Sequence, residues 1–159
     1  MRFDYQFAMK EYEKIEKYFE KYGYICKVTG SLRRKKADIG DIDIIVGKNK
    51  NIDMNIQNLE QIETSVLAVI SKYNEIEKQI THYEFLLKSG ICIHIIPEIE
   101  KHFNYTLWHS TGPKAHVKLI EKIYEEKSIK IDMENIVENK IYEIIDLEYL
   151  EPDNRWKLV

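Results

Sequence analysis

Two carboxylates alternate with aliphatic residues in the stretch Asp41 to Val46. If this stretch is a β-strand, Asp41 and Asp43 lie on one face of it, and Ile42 and Ile44 lie on the other. Paired carboxylates on one face are the arrangement that a pair of divalent metal ions requires. The pattern therefore predicts that Asp41 and Asp43 are catalytic metal ligands.

A glycine-serine pair precedes these acids and opens a basic segment. Gly30 and Ser31 follow the apolar run Tyr24 to Val28, and they are followed by Arg33, Arg34, Lys35 and Lys36. Glycine lets a backbone approach a phosphate closely, and the N–H groups of a following helical turn suit an anion. Phosphate donors beside metal ligands indicate phosphoryl or nucleotidyl transfer, in which two ions about 3.5–4 Å apart stabilise the reacting oxygens. The alternative is a glycine turn, a solvated basic loop and an edge strand with two exposed acids.

The composition is that of a globular protein of 159 residues, which fits one unit or two small subdomains. A net charge of −3 argues against binding nucleic acid by bulk electrostatics, so any such contact should be local. Cys26 and Cys92 lack metal-site spacing and are expected to be reduced. Neither a signal peptide nor an apolar run of about 20 residues is visible. We expect a soluble intracellular protein, in the cytoplasm or in a host cell if viral, with no membrane partner.

Hydrophobic periodicity predicts the elements that position these residues. Residues 4–22 have helical spacing up to Gly23, and strands are expected over Tyr24–Val28 and Ile42–Val46. A loop over 47–58, a helix over 59–73 and a hairpin over 77–97 follow. On the last strand, Cys92 and His94 should share the face of Asp41 and Asp43.

The character of the sequence changes near residues 99–103, where a boundary is expected. Beyond it we predict a helix ending near Lys127, a short strand over Ile129–Met133 and a last helix over Val137–Leu147. The fold class is α+β, with a mixed sheet and two helices in residues 1–100 and a small helical and β subdomain in residues 101–159.

At Gly30-Ser31, Arg33-Arg34 and Gly40-Asp41-x-Asp43, the sequence resembles the family X DNA polymerases, which are related to polymerase beta. The resemblance continues in the L-x-H-x-T-G-P segment at 107–113 and in Glu151-Pro152-x-x-Arg155. It implies a nucleotidyltransferase palm over 1–100 and a thumb over 101–159. This is similar to the smallest viral members of the family, without a lyase or helix-hairpin-helix domain.

The resemblance also implies roles for individual residues. Asp41 and Asp43 would hold Mg²⁺ or Mn²⁺, and the nucleotide would be bound by Gly30, Ser31, Arg34, His109 and Gly112. The segment from His109 to Gly112 would pass under the incoming sugar and exclude the ribose 2′-hydroxyl. For His109, a packed histidine at a subdomain junction is the alternative.

The sequence departs from the family pattern at the third metal carboxylate, where Cys92 is aligned. A thiol is a soft donor and Mg²⁺ prefers hard oxygen ligands, so the ion that would activate a primer hydroxyl is the one expected to be lost. An inert, half-buried thiol is the alternative to a working ligand. Val117 and Glu121 stand where relatives have an Asn and an Arg. Lys114, Lys118 and Lys122 form a stripe that would follow a phosphate backbone or simply be solvated.

Three functions remain open at this stage. The first is a DNA polymerase or terminal nucleotidyltransferase of the repair type, which takes a nucleoside triphosphate and a DNA primer end or short gap and is impaired by Cys92. The second is a non-catalytic regulatory module that binds nucleotide or DNA ends. The third transfers a nucleotide to a protein or small molecule, and the T-G-P and P-x-x-R segments disfavour it. We expect a monomer.

Overall fold

The structure is a computed structural model that describes residues 1–49 and 58–158. Within these residues the chain forms seven strands and six α-helices. The strands are β1 (Phe3–Asp4), β2 (Tyr24–Val28), β3 (Asp38–Ile39), β4 (Asp41–Lys48), β5 (Ile76–Gln79), β6 (Glu84–Leu87) and β7 (Cys92–Pro97). The helices are α1 (Tyr5–Lys21), α2 (Gly30–Arg33), α3 (Leu59–Ile70), α4 (Phe103–Thr111), α5 (Lys114–Glu126) and α6 (Glu138–Glu143). Turns of 3₁₀ helix occupy Glu100–His102 and Pro152–Lys157.

Five strands form one mixed sheet in the order β2-β4-β7-β6-β5. The central pair, β4 and β7, is parallel, and the other neighbours are antiparallel. A parallel pair cannot be joined by a tight turn, so the chain crosses from β4 to β7 by way of α3 and the β5-β6 strands. The predicted α+β class and the β6-β7 hairpin are confirmed. None of the helices in the described part of the chain is long and apolar enough to span a membrane.

One face of the sheet is buried under α1 and α3. Ile42 and Ile44 on β4 and Ile93 and Ile95 on β7 are fully buried in this core. The helices contribute Ile15, Phe19, Ile62, Val66 and Ile70. This confirms the alternation predicted for β4 and β7, and it leaves the odd-numbered residues of β4 on the opposite face.

The opposite face of β4 is covered over only half of its length. Ile45 is buried against Phe103 and Leu107 of α4. At Gly47 an added Cβ would lie 3.1 Å from the Phe103 ring, so the strand has no side chain where the helix comes closest. Helix α4 therefore covers the end of this face that carries Ile45 and Gly47 and leaves the end that carries Asp41 and Asp43 uncovered.

The C-terminal part of the chain, from α4 onward, packs around the side chain of Trp108, which is fully buried. The Trp108 indole N–H donates to the Tyr142 hydroxyl at 3.0 Å, and the His116 Nε2 atom lies 2.8 Å from the same oxygen. The other core residues here are Val117, Ile120, Tyr124, Ile136, Ile141 and Ile145. This second core lies on α4, α5 and α6 and on the segments that follow them.

Four predictions about elements need correction. Helix α4 was not predicted, because its residues lie within a motif that has no helical period. The strand predicted over Ile129–Met133 is wrong: the segment has no strand partner, and the Ile129 N–H closes a turn on the Tyr124 carbonyl at 3.0 Å. The last helix covers only residues 138–143 of the predicted 137–147. The predicted loop over 47–58 is wrong at its start, because Gly47 and Lys48 belong to β4, and its residues 50–57 lie outside the described part of the chain.

A buried ion cluster connects α2 to the C-terminal part. Arg33 Nη2 lies 2.6 Å from Glu138 Oε2, and Arg155 Nη2 lies 3.2 Å from Glu138 Oε1. Arg155 is completely buried. Burial alone would raise the pKa of Glu138, but the hydrogen bond from Arg33 and the charges of both arginines outweigh it and hold that pKa below its ordinary value. One carboxylate therefore pairs with two cations at this junction, and the three groups together keep a net positive charge.

We expect Glu138→Gln to destabilise the fold by about 3 kcal/mol at neutral pH, because it leaves two arginines with little compensation inside the protein. Glu143→Gln, on the same helix but in an exposed pair with Lys140, is the matched control and should change stability by at most about 0.5 kcal/mol. Urea unfolding at pH 7 measures both.

The same cluster should make stability depend on pH. A carboxyl group with a lowered folded-state pKa stabilises the fold fully above its ordinary pKa of about 4.3, and this stabilisation is lost as the pH falls through the folded-state value. The difference in unfolding free energy between the natural chain and Glu138→Gln should therefore shrink as the pH is lowered below about 4.3. A difference that stays constant across this range would contradict the role given to Glu138.

Candidate active site

The uncovered end of the sheet face presents two acids beside a thiol and an imidazole. In the parallel β4-β7 pair, Asp41 is opposite Cys92 and Asp43 is opposite His94. His94 Nδ1 lies 3.1 Å from Asp43 Oδ1. The prediction that Cys92 and His94 share a face with the acids is confirmed, and the Asp43–His94 ion pair is a contact that strand alternation alone did not reveal.

The acids of this face repel each other. Burial and the nearby charge of Asp43 raise the pKa of Asp41 above its ordinary value. The hydrogen bond to Asp43 raises the pKa of His94, and burial only partly offsets this effect. The face therefore carries negative charge that a bound cation would relieve.

The turn that begins α2 lies directly against Asp43. Gly30 has a φ of +61°, and an added Cβ there would collide with Asp43 Oδ2. The backbone N–H of Thr29 donates to the Asp43 carbonyl at 2.9 Å, and the Thr29 hydroxyl lies 2.7 Å from that of Ser110 on α4. The glycine-serine turn is thus held between the acidic strand and α4.

Arg33, the last residue of α2, and Arg34, which follows it, point to different surroundings. Arg33 donates to the Thr111 hydroxyl at 2.7 Å and pairs with Glu138, so it belongs to the buried cluster. Arg34 Nη1 donates to the Thr111 carbonyl at 2.5 Å. Burial lowers the pKa of Arg34, and the charge of Asp43 acts in the opposite direction. The Arg34 Nε–H is buried and has no hydrogen-bond partner within the described residues.

These residues line one cleft of about 460 Å³ between the sheet and the start of α5. Its lining consists of Ser31, Arg34, Asp41, Asp43, His109, Ser110, Gly112, Pro113 and Lys114. Six of the seven residues that the sequence pointed to line it, and the seventh, Gly30, lies against Asp43. Of the predicted lysine stripe, Lys114 lines the cleft, whereas Lys118 and Lys122 do not.

His109 is not a packed histidine of the kind considered as its alternative. Its side chain is 53% exposed, and its Nε2 atom lies 3.6 Å from Glu121 Oε1. Glu121 thus has a partner on α4, and Val117 is buried in the C-terminal core. The two residues that depart from the family pattern therefore both make contacts within this chain, Val117 in the C-terminal core and Glu121 with His109.

A further carboxylate faces the same side of the sheet from β6. Glu84 is opposite His94 in the β6-β7 ladder, and its Oε2 atom accepts a hydrogen bond from the Thr81 hydroxyl at 2.9 Å. The charge of Glu84 contributes to the raised pKa values of both His94 and Asp41. The hairpin prediction placed Glu84 on this strand, but its register with His94 required the structure.

The possible metal ligands on this face, Asp41 and Asp43 beside Cys92, fit one hard divalent ion better than two. Mg²⁺ is commonly held by one or two carboxylates together with substrate phosphates, and here Asp41 and Asp43 share a cleft with the Ser31 hydroxyl and the Arg34 guanidinium. A second ion would need another hard ligand, and Cys92 provides a thiol instead. Among residues 1–49 and 58–158, no group of three or more His, Cys, Asp and Glu side chains is placed to hold a metal ion.

Comparison with known proteins identifies the larger part of the chain. The family model described as the DNA polymerase beta palm matches residues 5–103. The match covers the five-stranded sheet, α1, α2 and α3, and the carboxylate pair on β4. No curated protein matches the chain significantly.

We expect Gly30→Ala to disturb the site as well as the fold. A non-glycine residue at this φ costs about 2 kcal/mol, and the added methyl would also push the Asp43 carboxylate out of place. Gly90→Ala is the matched control, because Gly90 has a φ of +96° but its added Cβ would only approach Phe3 at 3.8 Å.

Urea unfolding and calorimetric titration with a nucleoside triphosphate and Mg²⁺ separate the two effects. Both variants should lose stability, but only Gly30→Ala should lose nucleotide affinity. Equal nucleotide affinity in the two variants would mean that the contact between Gly30 and Asp43 does not shape the site.

Proposed function

The chain belongs to the DNA polymerase beta palm family, and we propose that it is a DNA-directed nucleotidyltransferase that adds nucleotides to a DNA 3′ end or short gap, with activity limited by Cys92. One observation carries the proposal. The glycine-serine turn, the guanidinium of Arg34 and the Asp41–Asp43 pair face one cleft, with Gly30 in contact with Asp43. Phosphate donors and metal ligands meet in this way where a phosphoryl group is transferred.

In this proposal, Ser31 and Arg34 bind the phosphates of the incoming nucleotide. The Arg34 Nε–H is buried without a partner, and an unsatisfied buried donor beside a cleft is favourable for an anion. Its Nη1 atom is already fixed by the Thr111 carbonyl, so the guanidinium is oriented before a ligand binds. His109 and Gly112 lie on the same wall, where the sugar would contact them.

Asp41 and Asp43 would hold the divalent ion, Mg²⁺ or Mn²⁺, which when bound supplies positive charge to the phosphate oxygens. The repulsion between the two acids supports this assignment, because it favours a bound cation. The primer hydroxyl must also lose a proton, and a carboxylate opposite Asp41 would accept it better than the Cys92 thiol that occupies this position.

The remaining assignments follow from the same proposal. Residues 1–100 act as the palm and residues 101–159 as a thumb, with a core of its own around Trp108. Lys114, Lys118 and Lys122 are exposed on α5, where they would contact the DNA backbone locally. The protein acts as a monomer.

A second function is favoured by one specific feature. His94 Nδ1 lies 3.1 Å from Asp43, so one of the two metal carboxylates already has an imidazole partner, and position 92 is a cysteine rather than a third carboxylate. A protein that retains the nucleotide contacts but lacks these ligands would bind nucleotide or DNA ends without catalysis, as a regulatory module. Both functions require nucleotide binding, and only the first requires turnover.

Nucleotide binding is tested first. Arg34→Ala should weaken binding of a nucleoside triphosphate with Mg²⁺ by about 1.5–3 kcal/mol, as expected for the loss of a charged hydrogen bond. Lys17→Ala, an exposed cation on α1 across the sheet from the cleft, is the control and should bind as the natural chain does. Calorimetry that gives the same affinity for both variants would remove the phosphate role of Arg34.

Catalysis is tested at position 92. The natural chain should extend a primer slowly or not at all with Mg²⁺, and Cys92→Asp should raise the rate because the carboxylate completes the ligand set and accepts the hydroxyl proton. Cys92→Ser is the control for size and should not raise it. Mn²⁺ should help the natural chain more than the Asp variant, because it tolerates softer ligands.

Two results would change the conclusion. If the natural chain extends primers in Mg²⁺ at about 1 per second or faster and Cys92→Asp slows it, then position 92 is not the missing ligand, and Glu84→Gln is the next variant to assay. If Cys92→Asp binds nucleotide but extends no primer with either ion, the non-catalytic function is supported instead.

A further inference from the structure

A second cleft, of about 540 Å³, lies next to the active-site cleft and shares Arg34 and Pro113 with it. It is formed by the turn after α2, the start of α5 and the C-terminal 3₁₀ turn. Its lining consists of Arg34, Lys35, Lys36, Ala37, Pro113, Ala115, Pro152, Asp153 and Trp156. Neither the metal ligands nor the nucleotide-binding residues other than Arg34 belong to this second cleft.

The charge of the second cleft is positive although the whole chain is acidic. Three of its lining side chains are basic, and Asp153 is the acidic one among them. Lys35 has a φ of +55°, a conformation that costs a non-glycine residue energy, and the Lys36 N–H closes the turn on the Ser31 carbonyl at 3.1 Å. The strained turn therefore holds two adjacent, exposed lysines at the edge of the cleft.

An exposed aromatic ring stands on the other side of the second cleft. Trp156 is 58% exposed, and the Lys157 amino group lies 5.7 Å from its ring centroid. The residue before it, Arg155, is fully buried and donates to the Leu150 carbonyl at 3.0 Å. The indole is thus presented to solvent from an anchored turn, and neither of the two cores described above includes it.

We propose that this second cleft binds single-stranded nucleic acid, with a base stacked on Trp156 and backbone phosphates on Lys35 and Lys36. Sequence-tolerant binding of single strands combines these two parts, a cationic groove that follows the backbone and aromatic rings on which bases stack. Lys35, Lys36 and the Trp156 indole line the same cleft, so it has both parts. Binding here goes beyond the proposed function, because it requires neither the metal ligands nor nucleotide transfer.

The experiment measures binding of a fluorescein-labelled oligodeoxythymidylate of about ten nucleotides by anisotropy, without divalent ions or nucleoside triphosphate. Trp156→Ala should weaken binding roughly 5- to 150-fold, the effect of losing one base-aromatic stack, and Trp156→Phe should restore part of it. The double variant Lys35→Ala/Lys36→Ala should weaken binding and make the slope of log affinity against log salt shallower by about 1.4, since each single-strand phosphate contact contributes about 0.7.

Lys17→Ala is the control for a lost surface cation and should leave affinity and salt slope unchanged. The natural chain provides an independent signal, because the chain contains two tryptophans and the other, Trp108, is buried. Oligonucleotide should therefore quench the fluorescence of Trp156, and Trp156→Phe should abolish this quenching.

Three results would overturn the proposal. Unchanged affinity in the tryptophan and lysine variants, with unfolding midpoints equal to that of the natural chain, would place the strand elsewhere. Absence of quenching would exclude stacking on Trp156. Competition by thymidine monophosphate as effective, mole for mole, as the unlabelled strand would show a mononucleotide site instead. Nucleoside triphosphate binding is measured on the same variants, so failure at this cleft is distinguished from failure at Asp41 and Asp43.

Discussion

The arrangement of the site depends on the close contact between Gly30 and Asp43. The turn that begins α2 and the strand that carries Asp41 and Asp43 touch at a position where a β-carbon would collide with Asp43 Oδ2. The contact is fixed from both sides, since the Thr29 N–H donates to the Asp43 carbonyl and the Thr29 hydroxyl lies beside Ser110. In the proposed function, the turn that would bind phosphate and the strand that would bind the metal ion share this contact, so a displacement of one should displace the other.

Strand alternation allowed much of the palm to be predicted from the sequence. The β4 and β7 patterns place Asp41, Asp43, Cys92 and His94 on one face because a strand has only two faces and the isoleucines occupy the buried one. Alternation gives the face but not the register between distant strands. The Asp43–His94 pair and the position of Glu84 opposite His94 therefore required the structure.

The C-terminal part was less predictable because its contacts are not periodic. Helix α4 packs Phe103 and Leu107 on Ile45 while Trp108 faces the second core, so its apolar residues serve two cores and lack a single helical stripe. The segment 129–133 has β-branched residues but no neighbouring strand to complete a ladder. In both cases the tertiary surroundings, rather than local propensity, decide the conformation.

The adjacent residues Arg33 and Arg34 carry the same charge but have different partners. Arg33 pairs with Glu138, which also pairs with the buried Arg155, so the charge of Arg33 helps to join α2 to the C-terminal part. Within the described residues, the Arg34 Nε–H is buried and has no hydrogen-bond partner, and Asp43 acts on Arg34 through its charge. Because Arg34 also lines the cleft, its guanidinium is placed to meet a ligand there. Asp43 lies 3.1 Å from His94, so a cation that binds at Asp43 must compete with an imidazole. Under the proposed function, nucleotide binding at Arg34 should therefore depend less on the residue at position 92 than catalysis does.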